Sequence, residues 1–218
     1  QGLALRNVTL FHPDSRFMSA LTLMADIVIV NMLLVVSCLP VVTVGAAVRA
    51  ASVVIRDMVA GVGANRSMLF LRELTRSWKP VTLYWLLLAG TGALVAYQQW
   101  VVTRAGVGDV TLTVIQALTL SGVLILAGMT VWFIGWASAH GRSEASFTEL
   151  LSAAVSSAFR YLGRTAAAVA ITGGAVVLTL GLPLRWSVPL VFFFLPAFAL
   201  YLIRLFIARP LDETPTHD

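Results

Sequence analysis

Five stretches of about twenty mostly apolar residues dominate the chain, at 17–39, 81–102, 110–137, 165–182 and 188–208. A helix needs about 20 such residues to cross the hydrocarbon layer of a bilayer. Lipid offers no hydrogen bonds, so a spanning segment must satisfy its own backbone, which a helix does. The runs therefore predict an all-α integral membrane helical bundle. Composition agrees: 59% of the 218 residues are hydrophobic and 11% are charged, against about 45–50% and 25% in soluble domains. A water-soluble domain, a disordered chain and a typical nucleic-acid binder are all excluded on these grounds. Residues 1–210 read as one transmembrane helical domain, and 211–218 as a polar tail.

A sixth stretch, 41–59, is short and carries Arg49 in its middle. Pro40 precedes it, where a helix start tolerates proline, and Gly61 and Gly63 follow its end. The basic residues weigh on whether it crosses. With six spans, 12 Lys and Arg fall on one side and only Arg104 and Arg185 on the other, with Arg49 inside the membrane. With five spans the division is 11 against 4. Loop Lys and Arg mark the cytoplasmic face, so the expectation is five to six spans, the six-span form fitting better. Both termini are then cytoplasmic.

Two segments are amphipathic rather than spanning. In 67–79, Phe70, Leu71, Leu74 and Trp78 recur at helical spacing while Arg72, Arg76 and Lys79 take other faces. In 146–164 the apolar stripe is Phe147, Leu151, Val155, Phe159 and Leu162, and Ser146 with Glu149 reads as a capping box. Both are expected at the membrane interface. Phe70, Arg72, Arg76, Trp78, Phe147, Phe159 and Arg160 are the candidate partner-facing residues. Each segment leads into a span, a short outer loop and a second span, a weak internal echo of pattern without identity.

Chemical motifs are scarce. No Walker-type phosphate loop, H-E-x-x-H or G-x-S-x-G occurs. His12, His140 and His217 lie in separate polar segments, and the lone Cys38 sits in an apolar run and reads as a small buried hydrophobe. The chain is expected to be non-enzymatic, with no cofactor and no metal. Polar interest concentrates instead between 26 and 56. An acid at position 26 is about ten residues into a span, where it costs about 2.5–3.5 kcal/mol and must face protein or water. If the chain turns at Pro40, Arg49 lies within reach of Asp26 and level with Asn31. Arg49, Ser52 and Arg56 share a helical face. Asp26, Asn31, Thr43, Arg49, Ser52 and Arg56 are thus the candidate polar cluster. The favoured reading is a clamp between helices; the alternative is a cavity for an anionic or hydroxyl-rich solute. Ala166, Ala170 and Gly174 form a stripe of small residues suited to close packing, and Pro196 should kink the last span.

The segment Asn31…Cys38-Leu39-Pro40-Val41-Val42-Thr43-Val44-Gly45-Ala46-Ala47 resembles the YesL-like bacterial membrane proteins, a family of unassigned function. Arg16-Phe17-Met18, Asp26 and the stretch from Phe70 to Lys79 fit the same pattern, whereas Arg49 stands where a small or hydroxyl residue is expected. The resemblance implies a multi-spanning protein of Gram-positive bacteria, encoded beside carbohydrate uptake systems of the ATP-binding-cassette type and glycan-degrading enzymes, with no catalytic residues to carry over. The resulting expectation is an accessory subunit of such a transporter, its partners being the lipid bilayer, permease subunits or a second copy of itself, and not nucleic acid. The alternative is a stand-alone solute carrier or channel built around Asp26, Asn31 and Arg49.

Overall fold

A computed structural model of the chain describes residues 16–62, 65–106, 108–142 and 144–212. Among them every regular element is helical: α1 (Arg16–Ser37), a 3-10 turn (Val41–Thr43), α2 (Val44–Val59), α3 (Arg66–Thr75), α4 (Trp78–Arg104), α5 (Asp109–Ala137), α6 (Phe147–Arg160), α7 (Leu162–Gly181), α8 (Leu184–Phe193) and α9 (Leu195–Asp212). His12, His217 and Gly63 lie outside the described residues, and so does most of the expected polar tail. Helix α9 continues through position 212, and Leu211 is buried against the Trp136 cluster.

The span count is lower than the sequence suggested. Helices α4, α5 and α7 are long and apolar enough to cross a membrane, and α8 with α9 makes a fourth only if the pair is one span bent by 55°. The described apolar part of α1, Leu21–Ser37, is shorter than a span, and α2 has 16 residues. The α1–α2 connection shows why 41–59 cannot run the length of the bundle. Trp85 Nε1 donates to Val41 O at 2.7 Å. A Cβ on Gly45 would lie 2.7 Å from Val81 O and 2.9 Å from Trp85 Cβ. The turn therefore sits seven residues, about 10 Å, along α4, leaving about 28 Å of that helix beyond it. From this level α2 runs back toward the start of α4.

Two cores hold the bundle. One joins α5, α6 and α9 through Trp132, Phe133, Trp136, Leu150, Ala154 and Ile207. The other joins α1, α2 and α3 through Ile27, Val30, Leu34, Val54 and Phe70. In the second core Ala47, Ala50 and Ala51 give α2 a face small enough to be fully enclosed. Close helix approach in α7 occurs elsewhere than expected. Ala166, Ala170 and Gly174 are exposed, and the tight contact is Thr165 of α7 against Gly128 of α5.

The amphipathic faces are also rotated from the expected ones. On α6 the buried side chains are Leu150, Ala154, Ser157 and Ala158, while Phe159 is 59% exposed. Ser157 turns inward because it accepts from Trp136 Nε1 at 3.0 Å. On α3 the buried pair is Phe70 and Glu73, while Leu71 is exposed. The capping box at the start of α6 is present: Ser146 N donates to Glu149 Oε2 at 2.8 Å, and Glu149 N to Ser146 Oγ at 3.4 Å.

Candidate functional site

The candidate polar residues form three separate arrangements. The first centres on Arg49, which is 3% exposed. Its Nη2 pairs with Glu73 Oε2 at 3.0 Å. Its Nη1 donates to Glu73 O and Arg76 O at 3.0 and 2.9 Å, and its Nε to Ala137 O at 3.1 Å. Two turns further along the same face, Arg56 Nη1 donates to Ser138 O at 2.6 Å and pairs with Asp57 at 2.7 Å. Both guanidiniums thus close the C-terminal carbonyls of α5, and Arg49 also closes those at the end of α3. Helix C-termini carry unsatisfied carbonyls and partial negative charge. Two arginines seven residues apart on one helix meet that need.

Glu73, not Asp26, neutralises Arg49, which corrects the expected pairing. Asp26 pairs with Arg66 at 3.5 Å in a partly exposed bridge. The reach argument treated depth alone. Helix α3 lies closer to Arg49 on the buried side, and Glu73 shares its inward face with Phe70. Glu73 is the only carboxylate between Asp57 and Asp109, a count that could have singled it out.

The second arrangement belongs to Asn31. It does not join Arg49 but repairs the break between α8 and α9. Its Nδ2 donates to Val191 O at 2.8 Å and Phe192 O at 2.7 Å, and its Oδ1 accepts from Ala197 N at 2.7 Å. In an unbroken helix the N–H of residue 196 would serve Phe192 O, and proline has none. Asn31 supplies the missing donor and takes the amide of Ala197 as well. The kink expected at Pro196 is thus present, with the break at Phe194.

The third arrangement is the turn itself. Thr43 Oγ1 lies 2.5 Å from Ser37 O and 2.8 Å from Pro40 O, and Trp85 serves Val41 O. The carbonyls of Ser37, Pro40 and Val41 are therefore met by side chains, while Leu39, Val41 and Val42 are exposed. Cys38 packs beside the α1–α2 core, and burial pushes its thiol pKa up. That opposes thiolate reactivity.

Ser52 donates to Val48 O at 2.8 Å and lines a cavity of about 430 Å³ bounded by α2, α4, α5, α7 and α9. A second cavity, about 380 Å³, adjoins it and shares Val48, Thr172, Leu200 and Ile203 as walls. Arg204, 4% exposed, lines the larger one and donates to Ser138 Oγ at 3.4 Å. The sequence had placed Arg204 only on the cytoplasmic side and assigned it no role.

The partner-facing candidates divide. Phe70 is fully buried, and Phe147 stacks at a tilt on Phe133 with centroids 5.9 Å apart, so both are core residues. Arg72, Arg76, Trp78, Phe159 and Arg160 are exposed. Among the described residues no group of three His, Cys, Asp or Glu is placed to hold a metal. Glu149 sits low in the carboxylate range, held there by the backbone and hydroxyl hydrogen bonds of Ser146.

Residues 27–98, about a third of the chain, match the family model described as a protein of unknown function, DUF624. This segment holds all three polar arrangements on the α1–α4 side. No curated protein and no solved structure matches the chain.

Proposed function

We propose that the chain is a non-enzymatic accessory subunit of a carbohydrate uptake system of the ATP-binding-cassette type, seated in a bacterial plasma membrane. The observation that carries this reading is where the polar side chains are spent. Arg49, Arg56 and Asn31 engage acceptors of the protein itself, so the donors that would greet a hydrophilic solute are already occupied. The cationic and aromatic side chains left on the surface include Arg72, Phe159 and Arg160 on the short helices α3 and α6, with Trp78 at the start of α4, suited to a membrane surface or a partner. The YesL-like segment around Leu39-Pro40-Val41-Val42-Thr43 supplies the carbohydrate setting and the Gram-positive source.

Orientation follows from charge. Four passes, α4, α5, α7 and the bent α8–α9 pair, put Arg72, Arg76, Lys79, Arg142, Arg160, Arg164 and Arg209 on one side and Arg104 and Arg185 on the other. The first side is cytoplasmic by the positive-inside rule. The alternative, a stand-alone carrier around Asp26, Asn31 and Arg49, would need those groups to face a shared aqueous space.

Charge reversal on the exposed helices tests the accessory reading. Arg72→Glu with Arg160→Glu should lower carbohydrate uptake by cells several-fold while the amount and Tm of the protein stay unchanged. Unaltered uptake of every carbohydrate tried would overturn it.

A further inference from the structure

Helix α2 turns back about 10 Å along α4, and the 430 Å³ cavity lies largely above that level. Val48 and Ser52 of α2 form its floor, and its walls on α4, from Leu88 to Val95, stand about 15–26 Å along that helix. The α1–α2 hairpin thus stops short of the spans around it. Chemistry, width and depth together identify what fills the space left between α4, α5, α7 and α9.

Each of the five hydroxyls on the walls gives its proton to a backbone carbonyl of its own helix. Ser52, Thr91, Thr130, Ser138 and Thr172 do so at 2.7–2.9 Å. Arg204, at the cytoplasmic end, is likewise engaged by the protein. A hydrophilic guest would leave its own donors and acceptors poorly met there, which is unfavourable. Along α5 the walls run from Ser138 to Val123, a rise of about 22 Å. Spread over that rise, 430 Å³ is a bore roughly 5 Å across, against about 10–12 Å for a helix with its side chains. A partner helix is too wide for it. A single polymethylene chain fits, since its carbons contact their neighbours at about 3.5–4.0 Å. The rise begins at the end of α5 that charge places in the cytoplasm and stops near the middle of that helix. It therefore covers one leaflet, whose hydrocarbon is about 15 Å deep.

We propose that this cavity is a binding site for one acyl chain of a cytoplasmic-leaflet phospholipid. The chain lies along α5, above Val48 and Ser52, with its end near Val123, and the head group stays outside the bundle. There it supplies the apolar contacts that a taller α2 would have made. Recognition is of the chain, so the charge of the head group makes no difference. The site rests on the charge-based orientation but not on the accessory role.

The test uses the full-length protein in phosphatidylcholine nanodiscs. The probe is a trace of phosphatidylcholine carrying a diazirine in the first half of one acyl chain, and a phosphatidylglycerol with the same chains serves as its anionic counterpart. After illumination, cross-links are mapped by mass spectrometry. They should appear on Val48–Ser52 of α2 and Thr130–Ile134 of α5, to the same extent with both head groups. Two variants fill the cavity. Ala127 lines it, and so does Gly92, where a Cβ would meet nothing within 4 Å. Ala127→Phe and Gly92→Phe should each lower cross-linking of the α2 segment at least fivefold, with Tm retained and cross-linking of the exposed Leu118 unchanged. The parent map decides the matter even where a variant fails to fold. Cross-links confined to exposed positions such as Leu118 would overturn the proposal. So would cross-linking of α2 by the anionic lipid alone, or its persistence in a folded, filled variant.

Discussion

At the scale of single residues, burial decides which charges matter. Arg49 lies among mostly buried acceptors, so removing it leaves the Glu73 carboxylate only its longer bridge to Arg76, at 3.5 Å, and takes the donor from several carbonyls. Breaking a buried pair from one side costs about 3–5 kcal/mol. At about 2–4 °C per kcal/mol for a chain of this size, Arg49→Met should lower the Tm in mild detergent by roughly 6–20 °C. Asp26→Asn affects a partly exposed bridge and should cost under about 1 kcal/mol, within a few degrees of the parent Tm. Asn31 makes a different prediction. Asn31→Asp keeps the size but sets a carboxylate against the carbonyls of Val191 and Phe192. It should destabilise at least as much as Asn31→Leu, by about 1–3 kcal/mol or more, in the same thermal measurement. The sequence made the importance of Asn31 and Arg49 legible, because polar groups in apolar runs must find partners. It could not supply the partners: those sit 24 residues away on α3 for Arg49 and 160 or more away on α8 and α9 for Asn31.

Among the elements, local signals held where the chemistry is local. Ser146 and Glu149 are three residues apart and cap α6 as their spacing implies. Ser146→Ala should cost about 1 kcal/mol, read as a lower Tm and faster amide exchange in the first turn of α6. The carboxyl of Glu149 has its pKa lowered on folding by the hydrogen bonds from Ser146. Its contribution is therefore complete above the ordinary glutamate pKa of about 4.3 and fades as pH falls through and below that value. Glu149→Gln should flatten that part of the acid-side decline by lowering the neutral-pH Tm slightly, with the acid-side value nearly unchanged. Helix faces were less legible. On α6 the stripe through Phe147 and Phe159 marks a candidate partner-facing side, yet Phe147 packs on the core, Phe159 is exposed, and Ser157 is buried where it accepts from Trp136 Nε1. Hydropathy counts apolar atoms and does not see which neighbour holds a hydrogen-bond donor. The same blindness hid Glu73, an acid on the inward face of α3.

For the whole molecule, helical class and bilayer solvent were legible from run length alone, whereas the number of crossings was not. Hydropathy marked 41–59 as apolar enough to span, but the Val41–Trp85 hydrogen bond and the close approach of Gly45 to Val81 fix its turn about 10 Å along α4. Thr43 is then within the bundle's depth rather than at the far surface. In a Cys38→Ser background, Thr43→Cys should resist a membrane-impermeant maleimide applied outside intact cells, while Arg104→Cys, at the C-terminal end of α4, should react. Rapid labelling of both would restore the six-span arrangement. The proposed accessory role rests on the larger contrast between an interior whose polar groups are engaged and a face on which Arg72 and Arg160 of the short helices are exposed. The most direct test is purification of the full-length protein from its native membrane in mild detergent, with identification of the chains that accompany it. Stoichiometric permease or solute-binding subunits of a carbohydrate transporter are the predicted result. Recovery of the protein alone, or only as copies of itself, would contradict the account.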